Sequence, residues 1–406
     1  MATRSSNDSS PTRAVHVLFV GAGAVGCFYA SRLHHPTHNI YTSLTARSNY
    51  AVIASSGVSL QTHSFGNYTF RPHIVFPSVS AASPRHDSRP ATPTTTTARS
   101  TPQAQAQAQA HRSPPPPPPP PVDGWDYVIV TTKALPDRSD DSALIAPLVS
   151  PRTCIVLIQN GVGVEEPYRA RFPRNPIVSA VTVVSAEQTS QGVIRQNRWT
   201  RISLGPYAHG LNPTPAPAPV PVPVPVPVSG DGDGEDLGAR GQACMEELAH
   251  WWRTLGDIRD VETHDEIELQ TIRWHKLCIN AAFNPTAVLS GGRGNAEQVR
   301  DPELRAHIIG IMEEIWEVAP KVLGRPFPAS LATPDRIVKS TERNTGAKPS
   351  MLLDWEAGRP MELEVILGNP VRAARRAGVA MPRLQTVYAL LKSLQRAREV
   401  ESRGKL

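Results

Sequence analysis

Residues 15–20 read Val-His-Val-Leu-Phe-Val and pass without a break into Gly21-Ala22-Gly23-Ala24-Val25-Gly26 and then Cys27–Leu33. No other stretch limits the fold as strongly. A short apolar run of this length predicts a buried strand, and the segment after the glycines predicts a helix. Glycines at such a junction allow a tight turn and let backbone approach a ligand closely. The helix start then offers unpaired N–H groups to a pyrophosphate. The pattern predicts a dinucleotide site made by Gly21, Ala22, Gly23, Ala24, Val25 and Gly26.

Further apolar runs at Ile40–Thr45, Asp126–Thr131, Cys154–Ile158 and Arg201–Leu204 have the length of buried strands and are separated by helix-sized segments. That alternation predicts a doubly wound α/β sheet of Rossmann type. After Gly241 the period changes. Leu304, Ile308, Ile311, Ile315 and Val318 form one apolar stripe, and Leu384, Val387, Leu391 and Leu394 another. The C-terminal part is expected to be all-α, with both stripes in its core.

Proline divides the chain. Of 41 prolines, 20 fall within residues 81–121 and 211–228, tracts too poor in packable side chains to offset their ordering entropy. The expected organisation is a disordered N-terminus (1–13), a nucleotide-binding domain (14–210) with a disordered insertion (81–121), a proline-rich linker (211–238) and a helical substrate domain (239–400). The ends of the insertion must return to neighbouring positions, which a long loop permits because closure entropy grows only logarithmically.

A net charge of +6, without Lys/Arg runs interleaved with aromatics, gives no nucleic-acid surface. No apolar window reaches membrane-spanning length, so no membrane association is expected. Cys27, Cys154, Cys244 and Cys278 are widely spaced, which is neither a disulfide framework nor a metal pattern, and no metal is expected. A cytoplasmic protein is the first expectation. Early serines and arginines leave a mitochondrial minority reading, and the terminal Gly404-Lys405-Leu406 a peroxisomal one.

At the end of the second strand, where an acid often meets the ribose hydroxyls, the chain has Thr45-Ala46-Arg47-Ser48-Asn49. A guanidinium there suits a 2′-phosphate, so Arg47 favours NADP(H). Two later strands end in Thr131-Thr132-Lys133 and Gln159-Asn160-Gly161, which puts Lys133 and Asn160 at the carboxyl ends of strands, where such sheets bind ligands. In Trp274–Pro285, Lys276, Asn280 and Asn284 stand four residues apart on one helix face. An ammonium and two carboxamides in line can donate a proton and orient a polar anion; a solvated helix face has the same spacing.

Together these residues resemble the ketopantoate reductase (2-dehydropantoate 2-reductase) family. The resemblance runs from Val15 to about Leu394 outside the proline tracts. It is carried by the glycine motif, Arg47, Thr132-Lys133-Ala134, Asn160-Gly161-Val162-Gly163, Trp274-x-Lys276 with Asn280 and Asn284-Pro285, Ser350-Met351-x-x-Asp354, and Glu362. It implies NADPH-dependent reduction of ketopantoate to pantoate in a cleft between the domains, as in pantothenate biosynthesis. Lys276 is the implied general acid. Asn160, Asn280, Asn284, Ser350 and Asn295 are the implied substrate ligands, and Lys133, Asn160 and Glu362 the implied cofactor contacts. His275, Pro349 and Met361 depart from the family's usual residues beside the substrate motifs. A different small 2-keto acid is therefore an alternative substrate. A second alternative is a non-catalytic NADPH-binding scaffold whose proline tracts recruit partners. A homodimer is a possible assembly implied by the family.

Overall fold

The computed structural model describes residues 13–84, 119–208, 210, 237–346 and 348–403. The expectations for the extreme N-terminus, most of both proline tracts and the last three residues lie outside these. The chain divides into two compact units: Met1–Ile129 with Ile145–Thr153 and Ser185–Arg198, and Val130–Leu144 with Cys154–Val184 and Trp199–Leu406.

In the first unit, β1 (Val15–Val20) is followed by helix α1 (Ala24–Ser31), β2 (Ile40–Thr45) and helix α2 (Tyr50–Ser56). The chain continues through β3 (Val58–Thr62), β4 (Gly66–Phe70), β5 (Val75–Phe76) and β6 (Tyr127–Val130). β1 pairs in parallel with β2, and β2 with β5. The side chains of Leu18, Phe19, Leu44 and Ile129 are fully buried, as parallel strands covered on both faces require. β3 and β4 form an antiparallel hairpin, and β3 pairs in parallel with residues 193–196. The sequence reading missed this hairpin because Val58, Leu60 and Thr62 are buried in alternation with polar positions and make no continuous apolar run. The stretch expected to be disordered from residue 81 begins in ordered structure: Ala82 ends a 3-10 turn and is buried, and Trp125 Nε1, beyond the insertion, donates to its carbonyl at 2.9 Å. This bond ties the two ends of the insertion together.

The second unit begins with helix α3 (Asp141–Ile145), β7 (Cys154–Ile158) and helix α4 (Glu166–Arg171), followed by β8 (Ile177–Ser190) and β9 (Val193–Pro206), of which residues 185–198 belong to the first unit. β7 pairs in parallel with β8. β8 is absent from the strands read from the sequence, and β9 is much longer than the Arg201–Leu204 run, because residues 185–190 of β8 and much of 193–200 are partly or fully exposed and carry no continuous apolar signature. Helix α5 (Leu237–His250) runs into a π-helical turn at Trp251–Leu255. β10 (Val261–Thr263) pairs with residues 202–204 of β9. The region read as all-helical therefore contains one strand, three residues long and too short to show a period.

The helical remainder comprises α6 (Glu266–Leu289), α7 (Asn295–Arg300), α8 (Pro302–Leu323), α9 (Pro334–Thr341), α10 (Ser350–Glu356), α11 (Asn369–Arg376) and α12 (Pro382–Arg403). One apolar core joins Trp274 and Phe283 of α6, Ile308, Ile311, Ile315 and Val318 of α8, and Leu384, Val387 and Leu391 of α12. The two stripes read from the sequence are these faces, apart from their ends: Leu394 is 38% exposed. No described helix is long and apolar enough to cross a membrane.

One irregularity of this unit shapes the site. Residues Glu364–Gly368 form a π-helical turn, in which Asn369 N–H bonds the Glu364 carbonyl five residues back. The same register would assign the Val365 carbonyl to residue 370, which is Pro370 and has no N–H. Val162 N–H supplies the missing donor at 2.9 Å, and Asn369 Nδ2 donates to the Val162 carbonyl at 2.8 Å. The turn thus anchors the loop after β7.

Candidate active site

In the first unit, the chain leaves β1 at Gly21 with φ +112° and enters α1 through Gly23. Gly23 is exposed, has no side chain capping the helix, and faces open space where a Cβ would stand. No acidic residue occupies the first turn of α1. Free N–H groups at an uncapped helix start, with backbone open to approach, suit a pyrophosphate. Gly21 N–H donates to Thr45 Oγ1 at 3.3 Å, which joins the glycine loop to the end of β2. Buried Asn49 ties the same loop by donating from Nδ2 to the Ala22 carbonyl at 3.0 Å. Asn49 was read only as part of the Thr45–Asn49 segment; its role depends on a contact 27 residues away. Arg47 is exposed just past β2 with no carboxylate in that segment, so its fork of donors is open to a phosphate. These residues fit an NADP(H) dinucleotide.

In the second unit, α6 is capped by Asp265, whose side chain accepts from Glu268 N–H, and it carries Lys276 midway. Lys276 Nζ donates to Asn160 Oδ1 at 2.9 Å. Asn160 Nδ2 in turn donates to Glu362 Oε2 at 3.3 Å, and Glu362 Oε1 accepts from Ala134 N–H at 3.1 Å. Lys276, Asn160 and Asn280 line one small cleft together with Gln159, Gly161 and Arg273. Burial pushes the Lys276 ammonium down to about 8; nearby Arg273 pushes the same way and Glu362 opposes. An amine tuned into this range gives up its proton readily near neutral pH.

The other expected residues are placed less uniformly. Asn284 lies two turns beyond Lys276, buried, with its Nδ2 unpartnered. Asn295 opens α7 with a buried, unpartnered Oδ1, and Ser350 opens α10 on the surface. Among the described residues no hydrogen bond joins Asn295 or Ser350 to the Lys276–Asn160–Glu362 set. Lys133, expected to meet the cofactor, is ion-paired with buried Asp354, which also accepts from Arg359 Nε at 3.0 Å. Asp354 stood in the sequence motif without a role.

Sequence reasoning missed Arg273 altogether. It is 3% exposed and lies one turn before Lys276. Its Nη1 donates to the carbonyls of Gln159 and Gly161, at 2.9 and 3.0 Å. Its Nη2 donates to Ser179 Oγ and the Ala180 carbonyl, at 2.6 and 3.1 Å. Glu165, 1% exposed, balances the charge at 3.1 Å from Nε and accepts from Ser179 Oγ and Gln270 Nε2. The available signal was an arginine on the face of Lys276, but arginines are usually solvated.

A dinucleotide-ready glycine turn together with a half-buried, proton-poised lysine held by a carboxamide defines a nucleotide-dependent oxidoreductase. Residues 17–209 match the family described as ketopantoate reductase PanE/ApbA, and residues 268–395 its C-terminal domain. The chain belongs to the ketopantoate reductase family, whose members are NADPH-dependent oxidoreductases acting on CH–OH groups. It is 26% identical to the uncharacterized protein YDL144C of Saccharomyces cerevisiae, over 96% of each chain. It is also 26% identical to the 2-dehydropantoate 2-reductase of a Nostoc species, over 66% of this chain and 74% of that protein. The crystal structure of 2-dehydropantoate 2-reductase from Methylococcus capsulatus superposes with a TM-score of 0.67 at 29% identity, covering 95% of this chain and 98% of the other.

Proposed function

We propose that the protein reduces 2-dehydropantoate to pantoate, with Lys276 as the general acid. The observation that carries this reading is the hydrogen bond from Lys276 Nζ to Asn160, in a cleft where the ammonium sits at about 8. NADPH, when bound, supplies the hydride to the substrate carbonyl carbon. The carbonyl oxygen gains negative charge as this happens, and a nearby ammonium stabilises that charge before transferring its proton. Asn160 orients the amine by accepting from it, and Glu362 orients Asn160 by accepting from the other end of the carboxamide. Asn280, one turn along α6 on the same cleft, and Asn284 are the proposed ligands for the substrate's carboxylate and hydroxyl, with Ser350 and Asn295 completing that set. Arg47 and the glycine loop hold the cofactor.

The direct test is NADPH oxidation by purified protein with 2-dehydropantoate, ranked by kcat/KM against a panel of small 2-keto acids. A site built around substrate hydroxyls rejects analogues that lack them by orders of magnitude. A flat ranking, or preference for a keto acid without a hydroxyl, sinks the substrate assignment.

The pH dependence has a definite sign. The reducing direction needs Lys276 protonated, so kcat/KM is expected to hold level below pH about 8 and to fall as the pH rises through it. Pantoate oxidation needs the neutral amine and should rise over the same interval. A reduction profile that increases above pH 8 contradicts the acid role.

Arg47→Ala is expected to raise the KM for NADPH by about 10- to 100-fold, the worth of a lost charge-assisted phosphate contact, while leaving the KM for NADH unchanged. Equal losses for both cofactors would remove Arg47 from the 2′-phosphate.

A further inference from the structure

We propose that Arg273 is a positioning residue for the reaction: its guanidinium holds the two carbonyls that flank Asn160, and its charge acts on the Lys276 ammonium one turn along the same helix. This inference rests on Lys276 being the acid of the proposed function.

The geometry is specific. One guanidinium nitrogen of Arg273 bonds the Gln159 and Gly161 carbonyls, the backbone oxygens immediately before and after Asn160. The other reaches Ser179 Oγ and the Ala180 carbonyl on β8. A planar fork with fixed donors can lock several acceptors into one arrangement, which an ammonium on a flexible stem cannot do. Asn160 is thus held at its backbone by Arg273, while its side chain meets Lys276 and Glu362. The loop has no alternative donor for those two carbonyls among the described hydrogen bonds.

The charge has a second consequence. The charged groups facing Lys276 are Arg273 from its own helix and Glu362 from the segment ahead of the π-helical turn; Asn160, from the loop after β7, is neutral. Arg273 opposes protonation of Lys276 and Glu362 favours it. Glu165, paired with Arg273 and shielded from water, sets how much of the guanidinium's field reaches the amine. A buried pair serving only stability has no reason to bracket the residue that receives the catalytic amine, nor to sit one turn from it.

The test uses three variants, a Lys276→Arg assignment control and two readouts in the full-length protein. One readout is the NMR titration of the Lys276 amine after reductive ¹³C-methylation, its signal assigned by disappearance in Lys276→Arg; this needs no turnover. The other is the alkaline limb of kcat/KM. Arg273→Gln is expected to move the Lys276 midpoint upward and to lower kcat at least tenfold, with the KM for NADPH within twofold of wild type. Arg273→Lys keeps the charge but loses the fork, so the midpoint stays within a few tenths of a pH unit while kcat still falls. Glu165→Gln keeps an acceptor but leaves the guanidinium uncompensated, so the midpoint moves downward; it also carries the test if Arg273→Gln does not accumulate as folded protein. Opposite shifts in Arg273→Gln and Glu165→Gln support the inference, since loosened packing alone does not reverse sign. An unmoved NMR midpoint in both, or shifts of the same sign, overturns it whatever happens to activity. If the NMR midpoints move as expected while the kinetic limb stays put, the coupling of Arg273 to Lys276 stands, but the acid role of Lys276 falls and takes Arg273's part in the reaction with it.

Discussion

Lys276→Ala is expected to lower kcat for 2-dehydropantoate reduction by about 10³- to 10⁴-fold, the combined loss of a positioned proton donor and of charge stabilisation at the developing oxyanion. NADPH affinity should stay within about twofold of wild type, because the glycine loop and Arg47 belong to the other compact unit. The fold should survive as well. The amine's hydrogen bond is to neutral Asn160, and the buried carboxylate that faces it, Glu362, keeps its hydrogen bonds from Ala134 N–H and Asn160 Nδ2 after truncation. Stopped-flow NADPH oxidation gives kcat, and quenching of intrinsic fluorescence by NADPH gives affinity. Retention of more than a tenth of wild-type kcat would remove Lys276 from the chemistry. A parallel loss of NADPH binding would show that the substitution disturbed more than the amine.

Gly161→Ala should be nearly as damaging, for a steric reason. Gly161 has φ +87°, and a Cβ there would stand 2.4 Å from the Val365 carbonyl oxygen and 2.6 Å from its carbon. Those are backbone atoms of the π-helical turn, held in place by Val162 N–H, so they cannot swing aside as a side chain could. Left-handed strain in an L-residue adds about 1–2 kcal/mol to the overlap. The loop must shift, and Asn160 with it. A displacement near 1 Å of a positioning residue costs about 100-fold in rate. Expected together are a kcat loss of that order and a destabilisation of about 2–4 kcal/mol by thermal or urea unfolding. Near-wild-type stability and rate in Gly161→Ala would show that the loop is not pinned to the turn.

Much of this was legible in the chain itself. The strand-turn-helix at Val15–Ser31, the apolar strands β2, β6 and β7, and the stripes of α8 and α12 are each written in local composition and period. The Lys276 and Asn280 face of α6 follows from spacing alone. Other parts were hidden because their signal is not local. The hairpin of β3 and β4 alternates polar and apolar residues on short strands, and the outer halves of β8 and β9 are largely polar. The place of Lys133 at a strand end is local and legible, but its ion pair with Asp354 spans 221 residues and leaves no trace in the pattern. Arg273 and Glu165 look like ordinary solvated charges until the fold buries them against each other.

The sequence by itself determined the nucleotide turn, the arginine that stands where an acid would meet the ribose, and the helical face that carries the lysine. Each depends on residues within a few positions of one another, where backbone geometry sets the outcome. The tertiary structure decided what surrounds that lysine. Asn160 reaches it from 116 residues away and Ala134 meets Glu362 across 228, while Arg273 bridges to Gln159 over 114. An amine's acidity and aim are set by the charges, dipoles and water around it, and no local pattern encodes which distant groups folding will bring there.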